Sequence, residues 1–248
     1  MKPLTLGVVP ARGGSKGLPG KNTLSLAGVP LVVHAVRALE MATRVDRVVV
    51  STDDPHIAAV AKQWGGDVPF RRPADLAADD TPMGPVLRHA LDQVERAEAR
   101  EYDLLVLCDP TSPGRQPEEI DRAVELLWAA PEFVGAIAVS EPMFQPAWVG
   151  VREVEGALVR YDEAGRGVTR RQDSEGRFLR INGSFYVWRT EFIRKLEGSW
   201  FDSGRHLGVE ISELHAFSVD DQLEFDMIQC LVDGGLLSLP WLHDGGKA

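Results

Sequence analysis

Cysteine and long apolar runs are scarce in this sequence. Its 248 residues include two cysteines, Cys108 and Cys230, which lie far apart in apolar contexts and show no metal-binding or redox spacing. We therefore predict two buried thiols. No apolar stretch approaches the length that spans a membrane, and the first residues lack the apolar core of a secretion signal. These absences indicate a cytoplasmic protein with no membrane partner.

The sequence also has fewer positively charged residues than negatively charged ones. Lys and Arg number 27 against 37 Asp and Glu, which gives a formal net charge of −10. Attraction to phosphate dominates general nucleic-acid binding, so this balance argues against that class of protein, and no nucleic-acid partner is expected. A local basic site for a small anion is compatible with it, because a few placed cations outweigh the mean field of the molecule.

Short apolar segments alternate with amphipathic segments along the first half of the chain. This alternation predicts an α/β fold of Rossmann-like type, with a mostly parallel sheet and helices on both faces. The predicted strands are residues 4–9, 47–51, 104–107 and 136–139, and the predicted helices are residues 30–41, 57–64, 86–99 and 117–128. A polar loop over 202–207, a strand over 215–219 and a helix over 223–232 are expected to close the fold.

The pattern changes from about residue 140 to residue 188. Three strand-like segments, residues 148–151, 157–159 and 184–187, are separated by Gly-rich and charged turns. This composition predicts a small β-rich insertion within a single domain that spans residues 1–248.

A Gly-rich loop, residues 10–22, follows the first predicted strand and precedes the first predicted helix. In such a position backbone N–H groups converge on phosphate, and glycines permit its close approach. Arg12, Lys16 and Lys21 place three cations within ten residues, which suits a triphosphate. A Walker A motif would need Gly at position 15 and Ser or Thr at position 22, and neither is present. The loop does not match the dinucleotide-binding fingerprint either, because that motif has a different glycine spacing and no cationic cluster.

Residues 9–22 read VPARGGSKGLPGKN, which closely resembles the opening signature of the acylneuraminate cytidylyltransferases, the CMP-sialic acid synthetases. Further elements of that family follow in the same order and cover nearly the whole chain. They are STD at 51–53, RPADLA at 72–77, DPTSP at 109–113, RQD at 171–173, RING at 180–183 and VD at 219–220. The resemblance implies an enzyme that transfers CMP from CTP to the anomeric hydroxyl of an acidic sugar and releases pyrophosphate.

The resemblance also implies roles for individual residues, and a homodimer formed with help from the β-rich insertion. Arg12, Lys16 and Lys21 would bind the CTP phosphates and, with Asp220, carry out catalysis. The nucleotide site would comprise Ala11, Arg12, Gly13, Gly14, Ser15, Lys21, Asn22 and Arg72, the last two residues near the cytosine. The acidic sugar would face Arg171, Gln172, Arg180 and Asn182. An Arg suits the sugar carboxylate because its fork can bind both oxygens.

The closing acidic motif departs from the family pattern. Many sialate enzymes carry Asp-x-Asp there, and Ser218 replaces the first of these carboxylates. Asp109 stands where those enzymes often carry Gln, and the related KDO cytidylyltransferases use an Asp from this region. We therefore predict that Asp109 and Asp220 together hold a Mg²⁺ ion that bridges the phosphates. The alternative for Asp109 is a turn cap. Asp221 is a weaker ligand candidate, because strand alternation would turn it away from Asp220.

A second departure concerns the sugar itself. Sialate enzymes usually carry a Lys shortly after a His-Pro pair, but residues 144–148 read FQPAW here. Phe144 and Trp148 either face a less polar sugar substituent or belong to the core or a dimer interface. The candidate sugars are N-acetylneuraminate, a related nonulosonic acid or another 3-deoxy ulosonic acid. Two other functions stay open: a transferase of similar fold that uses another nucleotide, and a non-catalytic nucleotide-binding protein.

Overall fold

In the computed structural model, which describes residues 2–14, 17–163, 166–167 and 177–242, a central sheet is covered by helices on both faces. The strands are β1 Thr5–Pro10, β2 Ser25–Leu26, β3 Val29–Pro30, β4 Arg47–Ser51, β5 Leu104–Leu107, β6 Gly135–Ser140, β7 Val151–Val154, β8 Ala157–Arg160, β9 Arg180–Arg189 and β10 His206–Glu210. The helices are α1 Leu31–Met41, α2 Pro55–Gln63, α3 Met83–Glu98, α4 Pro117–Ala129, α5 Pro146–Val149, α6 Thr190–Lys195 and α7 Gln222–Asp233.

The main sheet has six strands in the order β10-β6-β9-β5-β1-β4. Strand β9 runs antiparallel to both of its neighbours, and the remaining pairs are parallel. From β1 the chain passes first to β4 on one side and later to β5 on the other. A crevice therefore opens between the carboxyl ends of β1 and β5, at the kind of switch point where ligands bind in such sheets.

Both faces of the sheet are buried, which explains why its strands read as continuous apolar runs. In β1, Leu6 and Val8 pack with the apolar side of α3, while Val9 packs with α1, α2 and α4. A third apolar cluster, containing Leu26, Val219 and Ile228, joins α7 to the flank of the Gly-rich loop. The predicted α/β fold with a mostly parallel, doubly covered sheet is confirmed.

Strand β9 forms part of the main sheet, although its sequence pattern groups it with the β-rich insertion. The hairpin β7–β8 forms a separate two-stranded sheet. Trp148 and Val149, expected in a strand, belong to the short helix α5. The extent of the insertion, about residues 140–188, thus stays a prediction.

Two predictions for the end of the chain and its cysteines are wrong. Residues 215–219 form no strand; the last strand of the sheet is β10, which begins at His206, so the polar loop predicted over 202–207 is present up to residue 205. Strand β10 pairs only with β6 at the edge of the sheet, so its sequence needs no continuous apolar run. Cys108 is buried as predicted, but Cys230 is exposed on α7. Among the described residues, no helix combines the length and apolar character needed to cross a membrane.

Candidate active site

A cavity of about 410 Å³ opens at the carboxyl ends of β1 and β5. Its walls bring together the Gly-rich loop, the RPADLA element, the DPTSP turn and the closing acidic motif. The lining residues are Pro10, Arg12, Gly17, Lys21, Asn22, Arg72, Met83, Asp109, Pro110, Thr111 and Asp220. Segments that are distant in sequence therefore meet at the switch point of the sheet.

Hydrogen bonds within the site fix the course of the Gly-rich loop. The buried Ala11 donates its N–H to the carbonyl of Ser51 over 2.9 Å. Gly13 donates its N–H to Oδ1 of Asp53 over 3.1 Å, and Asn22 donates from Nδ2 to the carbonyl of Arg12 over 2.9 Å. Gly14 has a φ of 74°, a conformation that favours glycine. Ser15 and Lys16, both predicted to bind nucleotide, lie outside the described residues.

Three cations reach the cavity from two directions. Lys21 extends from the loop and pairs with Asp220 at 2.8 Å. Arg12 pairs with Asp79. Arg72 is almost fully buried and donates to Ser51, through Nε to the hydroxyl at 3.2 Å and through Nη2 to the carbonyl. Burial lowers the pKa of Arg72 from its ordinary value. No carboxylate pairs with this guanidinium among the described contacts, so it offers positive potential to an anionic ligand.

Asp109 lies two residues beyond the end of β5 and lines the cavity. Burial raises its pKa to about 6, while the positive charges of Arg115, Lys21 and Arg72 act in the opposite direction. Among the residues that the structure describes, no donor contacts its carboxylate, so a turn-capping role for this side chain finds no support. The fully buried Arg115 instead donates through Nη2 to the backbone carbonyl of Asp109, and this bond fixes the position of the turn.

Asp220 enters from the opposite wall on an extended segment. The adjacent Val219 donates its N–H to the carbonyl of Thr111 at 2.7 Å, which brings the segment against the DPTSP turn. Gly17 lies against this segment so closely that an added Cβ would be 2.5 Å from the carbonyl oxygen of Asp220. Asp221 is engaged elsewhere, because it caps α7 by accepting from the N–H of Glu224. Asp221 is therefore a weaker candidate for a metal ligand because it caps α7, and not because of the strand alternation that the sequence suggested.

The RING element forms an irregularity in β9 beside the cavity. Its register with β6 shifts between Ile137 and Val139, and Gly183 there has a φ of 75°. Asn182 is buried; it donates from Nδ2 to the hydroxyl of Ser140 and accepts the N–H of Ser184 on Oδ1. Its predicted contact with the sugar stays a prediction.

The structure describes only some of the residues that were predicted to face the sugar. Arg171 and Gln172 lie outside them. Arg180 donates from Nε and Nη2 to the two carboxylate oxygens of Glu213, both at 2.9 Å. The sugar contact of Arg180 stays a prediction, and its partner within the chain is Glu213.

Three residues in or near the site were not identified from the sequence. Tyr186, on β9 next to β5, has its pKa raised to about 12 by burial and then by the negative charge of Asp109, so its phenol lies near that carboxylate. Met83 lines the cavity from the first turn of α3. Arg115 follows the DPTSP turn closely, and nothing in the polar sequence around it indicates that its side chain is buried.

The two carboxylates of the cavity fit a hard divalent cation that also contacts phosphate. No cluster of three or more His, Cys, Asp or Glu suited to a metal exists among the described residues. Asp109 and Asp220 nevertheless line one cavity with the cations of the loop. Mg²⁺ is commonly bound in this manner, by one or two carboxylates together with substrate phosphates.

A Gly-rich cationic loop and two carboxylates at the switch point of an α/β sheet define the class of nucleotidyl-transferring enzymes. The chain belongs to the cytidylyltransferase family, whose model matches residues 6–141. The family inferred from the sequence motifs is thereby confirmed.

Named relatives agree with this placement. The chain is 36% identical over 189 residues to the CMP-N,N'-diacetyllegionaminic acid synthase of Legionella pneumophila, a match that covers 73% of this chain and 76% of the relative. It is 32% identical over 222 residues to the N-acylneuraminate cytidylyltransferase of Oncorhynchus mykiss, covering 87% of this chain and 47% of the relative. A solved structure of CMP:2-keto-3-deoxy-manno-octonic acid synthetase complexed with CTP superposes with a TM-score of 0.70 at 18% identity, covering 94% of this chain and 99% of that one.

Proposed function

We propose that the protein transfers CMP from CTP to the anomeric hydroxyl of a nonulosonic acid and releases pyrophosphate. The observation that carries the proposal is the single cavity lined by Arg12, Lys21 and Arg72 together with Asp109 and Asp220. In this reaction a bond forms between the anomeric oxygen and the α-phosphorus, and the bond between the α- and β-phosphates breaks. The hydroxyl proton is lost and the electron pair leaves with pyrophosphate.

The chain's own residues would act by position and charge. Arg12, Lys16 and Lys21 would neutralise the phosphate oxygens on which negative charge develops, and preorganised electrostatic stabilisation of this kind usually contributes most to catalysis. Ala11, Gly13, Gly14 and Ser15 would present the loop backbone to the nucleotide. Asn22 and Arg72 would lie beside the cytosine. Asn22 donates to the carbonyl of Arg12 and Arg72 donates to Ser51, and these bonds order the two side chains, which lowers the cost of positioning them on the nucleotide.

Asp109 and Asp220 would hold a divalent cation, and we propose Mg²⁺. When bound, that ion would neutralise phosphate charge and polarise the α-phosphate. The oxygen donors of the two side chains match the preference of Mg²⁺, and the remaining ligands would be phosphate oxygens and water.

The sugar is proposed to be N,N'-diacetyllegionaminate or a close nonulosonic relative. The name of the Legionella pneumophila relative supports this choice. The apolar Met143 and Phe144 are exposed shortly after β6, and we propose that they contact the acetamido methyl groups of such a sugar. Arg171 and Gln172 would recognise the carboxylate, with Asn182 supporting the same half of the site. Because the reaction consumes CTP, we expect the protein to act in the cytoplasm.

We further propose that the protein is a homodimer. The hairpin β7–β8 packs into none of the three apolar clusters, and it exposes apolar side chains on both of its faces. These are Val151, Val154, Leu158 and Val159, with Tyr161 directly after them. A second copy of this chain is the occupant that the family resemblance implies for this surface.

The test of the reaction is pyrophosphate release with Mg²⁺. The panel comprises the four nucleoside triphosphates, each paired with N-acetylneuraminate, KDN, KDO, N,N'-diacetyllegionaminate and pseudaminate. Release with CTP and a nonulosonic acid is the expected result. Release with another nucleotide would overturn the base assignment, and release with KDO alone would overturn the sugar class. A folded, CTP-binding protein that releases no pyrophosphate with any acid would contradict the proposed activity.

A further inference from the structure

The contact between Arg180 and Glu213 joins the sugar half of the site to the segment that carries Asp220. Arg180 stands at the start of β9, and its Nε and Nη2 donate to the two carboxylate oxygens of Glu213, both at 2.9 Å. Nη2 also donates to the carbonyl of Ala216 at 3.4 Å. Paired hydrogen bonds of this kind fix orientation as well as distance, because the planar guanidinium matches the planar carboxylate.

Residues 213–220, which we name the strap, run from this contact to the cavity. They contain no helix or strand: residues 213–216 form a hydrogen-bonded turn, and the residues that follow are held by contacts with other segments. His215 bonds through Nδ1 to Oε1 of Glu119 on α4 at 2.7 Å. Val219 is fully buried and donates to Thr111, and Asp220 pairs with Lys21. The strap is thus held at its start by Arg180 and at its end by the DPTSP turn and the Gly-rich loop.

We propose that Arg180 is a positioning residue, which acts through Glu213 and the strap to hold Asp220 at the metal site and does not bind the sugar. This inference rests on the proposed function, since it concerns the same cavity. It reassigns a residue that the sequence motifs had placed against the sugar carboxylate.

The charges and burial of the pair favour this assignment. A sugar carboxylate would need the same planar fork that Glu213 already engages through its Nε edge. Breaking that pair to bind substrate would give up two charge-assisted hydrogen bonds that orient the start of the strap. The strap has no secondary structure of its own, so loss of one anchor should loosen Asp220 more than it loosens the sheet.

The experiment is a double-mutant cycle of Arg180→Met and Glu213→Gln, with binding of Mn²⁺ to the CTP-loaded protein as the primary readout. Electron paramagnetic resonance reports free Mn²⁺ directly and needs no sugar. Each single variant should weaken Mn²⁺ binding by about tenfold, and the double variant should be no weaker than either one, as expected for two residues of one unit. Arg180→Lys keeps the charge without the fork and should fall between the wild type and Arg180→Met.

Steady-state kinetics separate positioning from sugar binding. With N,N'-diacetyllegionaminate, both single variants should lower kcat by about tenfold and leave KM for the sugar within about twofold. Arg194→Met is the matched control: Arg194 is also 36% exposed and pairs with Glu95, but at α6, away from the cavity. It should change neither Mn²⁺ binding nor kcat. Circular dichroism and the melting temperature check that each variant is folded.

Two results would overturn the inference. One is an unchanged Mn²⁺ affinity in folded Arg180→Met. The other is a large rise in the KM for the sugar that appears with Arg180→Met but not with Glu213→Gln. Failure of the proposed function would give a distinct result, because the wild-type protein would then release no pyrophosphate with any acid. The Mn²⁺ measurements with CTP would still decide the role of Arg180.

Discussion

Nζ of Lys21 donates to Oδ1 of Asp220 over 2.8 Å, although 199 residues separate the two in the chain. This contact closes the cavity by joining the Gly-rich loop to the end of the strap. In the proposed reaction both groups must act on other partners, Lys21 on phosphate and Asp220 on the metal ion. The ion pair therefore holds two functional groups near their places until the substrate and the cation separate them.

Lys21→Met should reduce kcat/KM for CTP by about two to three orders of magnitude, because a cation that stabilises developing phosphate charge is removed. Pyrophosphate release at fixed Mg²⁺ measures the effect. The exposed Lys62 on α2 provides the control, since Lys62→Met removes the same charge away from the cavity. Equal losses in the two variants would indicate that only overall charge matters.

Asp109→Asn should lower Mg²⁺-dependent activity by about a hundredfold or more, as expected for the loss of a metal ligand. Full activity with an unchanged Mg²⁺ requirement would show that Asp109 only ends the turn. Measuring pyrophosphate release against Mg²⁺ concentration distinguishes the two results.

The same variant should be more stable than the wild type at alkaline pH. Burial raises the pKa of Asp109 from 3.8 to about 6 in the folded state, so its protonated form contributes stability that is fully present below 3.8 and is lost as the pH rises through about 6. At pH 8 the neutral Asn should therefore raise the free energy of unfolding by up to about 3 kcal/mol. At pH 3.5 the difference should vanish. Urea unfolding at both values measures it, and an Asn variant that is less stable at pH 8 would contradict this electrostatic account.

Asp79→Asn should tighten the binding of CTP. Asp79 pairs with Arg12, so a carboxylate competes with phosphate for the same guanidinium. The pair is partly exposed and such pairs are worth at most about 1 kcal/mol, so the gain should not exceed about fivefold. Calorimetry at low and high salt checks it, because screening should shrink the gain. The neighbouring Asp80→Asn serves as the control and should gain less.

Gly17→Ala should impair catalysis and also lower stability. An added Cβ would be 2.5 Å from the carbonyl oxygen of Asp220, so the loop or the strap must shift. We expect kcat to fall by about tenfold, since small displacements of positioned groups are costly. Gly198→Ala is the contrast: it lies in open space at a φ of 77°, so its melting temperature should fall while kcat stays unchanged.

Leu158→Asp should convert the proposed homodimer into a monomer. Leu158 is 74% exposed on the hairpin β7–β8, and a charge there would have to be buried without a partner in an apolar interface. Sedimentation velocity over a range of concentrations gives the mass. A monomeric wild-type protein would refute the dimer, and a dimeric Leu158→Asp variant would place the interface elsewhere.

Local patterns were enough to predict most of the sheet and the loop. The apolar runs of β1, β4 and β5 are buried on both faces, and their turn residues lie at the carboxyl edge where the cavity forms. Arg12, Lys21, Asn22, Arg72, Asp109 and Asp220 could be placed at one site because each follows a strand or a recognised motif.

The remaining features depend on tertiary contacts that no local pattern reveals. The segment before Asp220 has the apolar content of a strand, but Val219 makes its backbone bond to Thr111 in a turn, and its side chain is buried in the third apolar cluster. The partner of Arg180 lies 33 residues away on a segment without secondary structure. The bonds between Arg180 and Glu213 could therefore not be predicted from the sequence, and the expected contact of Arg180 with the sugar stays a prediction.

The position of the antiparallel strand β9 determines the order in which the strands of the sheet can pair during synthesis. Strands β6 and β10 join the rest of the sheet only through β9, which contacts β5 on its other side. While the chain is being synthesised, β4, β1 and β5 can pair early, but β6 has neither of its neighbours until β9 and β10 have emerged. Non-local pairings of this kind fold slowly and leave strand edges open in the meantime. The edge of the sheet that carries the Gly-rich loop can therefore form before β6 and β10 are added, and the pairing of β9 completes the sheet.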